Sequence, residues 1–420
     1  MATPSKAKYN HINIIYHNKK IVLIILTTIL LTTLFITLNT YTQTTTSNNK
    51  NTIVMEEIPL ERAIHVNSED ELKTAINNSI LNRSPVIIAL NQDITLTDTL
   101  TIPSNKNITL TSNSKTTFYK LVGANNENTI SIEEGGVLRV AGVIVTHDRG
   151  VMGRGVVVNS GGVFVLSSGK ISGNMYMNWV GVYNMGNFVM LGGEISNNAA
   201  ISYNGGKYHG YTPGDGGGVF NFGTFTMMGG AIANNTARSY GGGVYNKGVF
   251  GMVDGEIINN TANTAGGGIC NMAGVFELSG GAIANNTAEF GGGVSNRIYG
   301  NLFGTFTMSG GAITNNTAEY GGGVHNMATF TMTGGAITNN TAKYNGGGVH
   351  NIATFTMTGG TITNNTAKHG GGAYSIYFSY HRYSEYSFNK SGGLISNNKA
   401  TEKSNNIYVE NTHGEITIDE

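Results

Sequence analysis

Three stretches of this chain are close copies of one another: GTFTMSGGAITNNTAEYGGGVHN from Gly304, ATFTMTGGAITNNTAKYNGGGVHN from Ala328 and ATFTMTGGTITNNTAKHGGGAY from Ala353. A unit of about 24 residues is too short to close a core of its own. It buries an apolar face only against its neighbours, so the units must stack into a solenoid. One isoleucine marks each unit, at Ile171, Ile195, Ile232, Ile257, Ile283, Ile313, Ile337, Ile362 and Ile395. Wider gaps between markers hold inserted loops at 201–215, 297–303 and 374–386.

Within TFTM the alternation has period two, which means strand. Phenylalanine and methionine share the inner face. The phenylalanine column runs Phe164, Phe188, Phe225, Phe250, Phe276, Phe306, Phe330, Phe355, Phe388. Each unit holds three such segments (TFTM, GAITNN and GGGVHN), predicting three strands per coil. Coils would stack at ~4.8 Å, with like residues in ladders. Gly-Gly and Gly-Gly-Gly runs, drawn from 60 glycines in the 420-residue chain, sit where each coil must bend, because glycine tolerates φ > 0 there. After Pro103 the only proline is Pro213, inside an insertion. Interior strands reject proline, since every N–H is needed by a neighbouring coil. The expectation is an all-β, right-handed parallel β-helix.

Lys+Arg and Asp+Glu are 25 each. With no cationic excess, nucleic acid is not an expected partner. The single cysteine, Cys270, excludes an intramolecular disulfide framework and a thiolate zinc site.

Residues 21–38 (IVLIILTTILLTTLFITL) carry no charge, and Lys6, Lys8, Lys19 and Lys20 precede them. This pattern predicts a basic cytoplasmic stretch at 1–20 and a signal anchor or cleaved signal peptide at 21–38. A polar linker at 39–64 would lead to an extracellular β-helix at 65–420, held at the membrane through 21–38 if uncleaved. Ser68-Glu-Asp-Glu71 is a capping box, predicting a capping helix at about 68–78. Regular coils are expected over about 161–400.

Two aromatic columns are the candidate ligand contacts. The first holds Tyr183, Phe220, Tyr245, His325, His350 and Tyr374, with Cys270 and Ser295 between them. Counting by twos points it outward. The second, just before the glycines, holds Tyr240, Phe290, Tyr320 and Tyr344. Exposed aromatic rows suit sugar rings or protein partners. The asparagine pairs read as an amide ladder between coils. Asn234, Asn259, Asn285, Asn315, Asn339 and Asn364 also begin N-N-T sequons. The same counting places Asn315 inward, which disfavours glycan attachment. No metal or other cofactor is expected. No catalytic set emerges either: Asp93, Asp98, Asp148, Asp215 and Asp254 are scattered by coil, whereas glycoside hydrolysis needs paired carboxylates. His147-Asp148-Arg149, with Arg154 nearby, is the best local group.

The helix at Ser68, the following VIIALNQDITLTDTLTI and the coils resemble the right-handed parallel β-helix proteins of the pectate-lyase-like superfamily. More narrowly, the chain resembles adhesin-like surface proteins of prokaryotes. The GGAI element at Gly280, Gly310 and Gly334 is also similar to one in chlamydial polymorphic outer-membrane proteins. The resemblance implies a non-catalytic exported surface protein that binds glycans or surface partners. The alternative it carries is a polysaccharide lyase or glycoside hydrolase; the third is a structural surface-layer or spacer protein.

Overall fold

A computed structural model describes residues 58–80, 85–201, 214–376 and 386–410, and the backbone of 415–418. The expected membrane or signal segment, most of the linker, and the inserts 202–213 and 377–385 lie outside the described residues. No helix among the described residues is long and apolar enough to cross a membrane.

From Leu60 the chain forms an all-β solenoid of right-handed type with about 11 turns. The later coils each hold four short strands rather than the expected three, as in Thr305–Met308, Ala312–Thr314, Thr317–Tyr320 and Val324–Asn326; in the coils at Val163, Thr224 and Val249 the first two run on as one strand. All four pair in parallel with the next coil, placing Phe306 beside Phe330, Ile313 beside Ile337, Ala318 beside Ala342 and Val324 beside Val349. The first two strands of each coil build one sheet and the last two build another.

The extra strand has a local cause. The first asparagine of each pair, from Asn197 to Asn397, adopts φ of 55–58°. Asparagine is among the few non-glycine residues that visit this left-handed region readily. The turn it makes splits GAITNNTAEY in two and advances the alternation by one residue. The expectation for Asn315 is therefore corrected: Asn315 is exposed and Asn316 is buried.

Asn316 belongs to a continuous ladder. Its Nδ2 donates to Asn340 Oδ1 at 3.0 Å and to the Ile283 carbonyl at 2.9 Å. The same pattern runs from Asn174 to Asn398. A second ladder, not foreseen, runs from Asn184 through Asn221, Asn246, Asn271, Asn296 and Asn326 to Asn351 at 2.7–2.8 Å per step. Ser375 Oγ accepts its last donor.

Between the sheets lies one apolar core. All nine column phenylalanines are buried, stacked ring on ring; Phe330 and Phe355 lie 4.7 Å apart and 4° from parallel. The helix Glu69–Asn78, N-capped by Ser68, adds Leu72, Ala75 and Ile76 to the same core. Phe330→Ala should cost about 3–5 kcal/mol, because its stacked neighbours cannot collapse into the cavity. Thr331→Ala, on the outer face, should cost under about 1 kcal/mol. Equal losses in denaturant titrations would reject this division of faces.

Candidate ligand-binding face

The last two strands and the glycine triplet of each coil build the face where both aromatic columns fall. Here the structure corrects the first column. Tyr245 is 4% exposed, His325 3% and His350 6%. Phe220 and Tyr374 are buried too, and only Tyr183 is half-buried. These side chains do point away from the main core, as period two requires. They are nevertheless covered, because the glycine triplet lets the backbone fold back against them. A Cβ on Gly241 would stand 2.8 Å from Cα and Cβ of Tyr245, so only glycine permits this approach. Second-column side chains then lie over the first: Phe290 packs on His325 at 5.1 Å and Tyr320 on His350 at 5.7 Å.

Burial sets the chemistry of the first column. It pushes the Cys270 thiol up to about 12, so the thiol stays protonated and inert. It pushes His350 down to about 3 and His325 well below its usual range, the latter also disfavoured by His350 and Arg297. Neither ring nitrogen of His350, nor Nδ1 of His325, has a hydrogen-bond partner. The two rings lie 5.1 Å apart and tilted by 56°. Among the described residues no group of three His, Cys, Asp or Glu side chains is placed to hold a metal.

The second column is half-buried and reachable: Tyr240, Phe290, Tyr320 and Tyr344. Phe290 stacks on Tyr320 at 5.3 Å, and Tyr320 on Tyr344 at 5.2 Å. The row ends at a cavity of about 270 Å³ lined by Tyr320, Tyr344, Lys368, His369, Lys403 and Tyr408, among others. Lys343 pairs with Glu319 at 3.5 Å and Lys368 with Glu402 at 3.0 Å. Such exposed pairs contribute only about 0–1 kcal/mol, so the ammonium groups can exchange partners at little cost.

The carboxylate candidates do not converge. His147 is buried, its Nδ1 2.8 Å from Asn174 Oδ1, while Asp148 and Arg149 face solvent. Asp215 is buried and accepts from the Tyr240 backbone N–H at 3.3 Å. Asp93 and Asp98 are exposed on the coil that starts at Val86, and Asp254 is exposed on a coil far from it.

One cluster escaped sequence reasoning. Trp179 has φ 59°, a conformation that costs a bulky residue about 1–3 kcal/mol. Its ring stacks on Tyr183 at 4.8 Å, and the Arg154 guanidinium lies over Tyr176 at 4.3 Å. The signal was present: Trp179-Val180-Gly181 breaks a register that later coils fill with three glycines.

Fold and face together define a parallel β-solenoid with an aromatic, cation-flanked edge. No protein-family model, curated protein or solved structure matches the chain.

Proposed function

We propose that this is a non-catalytic, exported, adhesin-like surface protein. Its solenoid, of the pectate-lyase-like kind, presents the edge Phe290–Tyr320–Tyr344 and the adjoining cavity to glycans or to surface proteins. Residues 21–38 deliver the chain across the membrane, or hold it there. The observation that carries this reading is the stacked aromatic row, half-exposed and ending in a polar cavity. A half-buried aromatic row suits the apolar parts of a sugar, and neighbouring lysines and tyrosines supply hydrogen bonds.

The test is a broad glycan array probed with the full chain, with and without calcium, and a scan of the same polysaccharides for cleavage. Saturable binding without turnover is expected. Tyr344→Ala should weaken it about tenfold, the loss typical of a contact residue, whereas Tyr245→Ala should act through stability because Tyr245 is buried. New reducing or unsaturated ends would overturn the non-catalytic assignment.

A further inference from the structure

The asparagine corner carries a second signal. In six coils the first asparagine of the pair opens an N-N-T sequon: Asn234, Asn259, Asn285, Asn315, Asn339 and Asn364. N-x-S/T is the acceptor pattern of N-linked glycosylation when x is not proline. The outward turn of Asn315 removes the objection that counting by twos raised. All six side chains are exposed, each in the left-handed turn with φ of 55–58°. The threonine of the sequon opens the next strand and is itself exposed in five of the six coils, Thr317 among them. The second asparagine, which the ladder needs bare, is never an acceptor. Alanine stands two places after it in every case, as Ala318 does after Asn316.

Neither the turn nor the ladder requires that threonine. Both run unchanged through Asn197-Asn198 and Asn397-Asn398. There Ala199 and Lys399 pair with the threonines of the adjoining coils. The corner also stands apart from the aromatic edge. Asn315 and Tyr320 flank opposite ends of the strand Thr317–Tyr320, whose residues span about 10 Å.

We propose that the outward asparagines of these six sequons are N-glycosylated during export, giving the rod one sugar-coated corner and leaving the aromatic edge uncovered. The step is a glycosyl transfer from a lipid-phosphate-linked oligosaccharide, carried out by a membrane transferase on the emerging chain. The bond from the anomeric carbon of the sugar to the phosphate oxygen breaks, and the lipid phosphate leaves with its electron pair. A bond from that carbon to asparagine Nδ2 forms, and Nδ2 gives one proton to a base of the transferase. The folded coil accepts the product because Asn315 is exposed while Asn316 keeps its bond to Asn340. A glycan is bulky and solubilising and belongs on such a surface. Coils are only ~4.8 Å apart, so oligosaccharides on adjacent coils would crowd, and partial occupancy of the column is expected. This inference goes beyond the glycan-binding reading and rests on its export step.

The full chain is isolated from its own cells and digested with trypsin. Cleavage after Lys247, Arg297, Lys343 and Lys368 gives peptides 248–297 and 298–343, each with two neighbouring sequons, and 344–368 with one. Tandem mass spectrometry that leaves the glycan on the peptide should find sugar on outward asparagines of this column and none on Asn316. Thr317→Ala should lower the occupancy of Asn315 at least tenfold without changing Tm, because Ala199 serves at that place in another coil. Thr317→Ser should retain the modification. Thr341→Ala, read at Asn339, repeats the test in the next coil should the first variant fail to fold. Sugar on Thr317 in place of Asn315, or on Asn316, overturns the proposal. A membrane-impermeant amine reagent applied to intact cells separates the two readings. A chain that is labelled yet bare at all six sequons sinks this inference alone. A chain that escapes the label removes the export reading, and this inference with it.

Discussion

Asn316→Asp should destabilise the solenoid by about 5 kcal/mol or more at pH 7, since it buries an uncompensated charge. The native amide donates to Asn340 Oδ1 and to the Ile283 carbonyl, and accepts from N–H groups of Asn286. A carboxylate keeps the acceptor role and loses both donations, so two acceptors would face it across a dry interior. Its pKa would rise in the folded state. A group of that kind costs least below its unfolded value of about 4, and its penalty grows as pH rises through the folded value. Asn315→Asp should cost only a few tenths of a kcal/mol, because Asn315 is exposed and aspartate also tolerates a left-handed turn. Denaturant titrations of both variants at pH 7 and pH 4 check this. Equal sensitivity at the two positions would contradict the one-residue phase shift.

Acid should loosen the coils around His325 and His350. Both rings are neutral and buried, facing Phe290, Ser295, Tyr320, Tyr374 and each other, with Arg297 near His325. The sign follows from linkage. Between pH 6.5 and about 3 the unfolded chain binds a proton that folded His350 does not. Stability contributed by the neutral ring is therefore complete above about pH 6.5 and falls as pH drops toward 3. For His350 the loss reaches roughly 5 kcal/mol over that interval. Hydrogen exchange should show coils 321–351 opening first, and His350→Phe should flatten the pH dependence of Tm. Parallel profiles for the two proteins would mean that this ring is solvated.

How much of this was legible beforehand depends on the scale. Phe330 and its column could be read from spacing alone, because a two-residue alternation repeated over many coils has one consistent burial pattern. The phase broke where local geometry intervenes. Nothing in N-N-T marks which asparagine turns left-handed, and that choice moved Asn315 outward and created a fourth strand. The burial of His325 and His350 was likewise hidden, since it arises from a close approach by the glycine triplet rather than from polarity. Trp179 was visible as an interruption of glycine, but its meeting with Arg154 needs the coil register.

The ladders also bear on how such a chain changes over generations. Each interior amide in them gives and takes the same bonds from identical neighbours. Excision of residues 316–339 would leave Asn286 facing Asn340 with donor and acceptor unchanged. Recombination between the near-identical repeats at Gly304, Ala328 and Ala353 can therefore shorten or lengthen the stack by a whole coil without a mismatched joint. Length becomes a heritable variable, separable from the chemistry displayed along the edge.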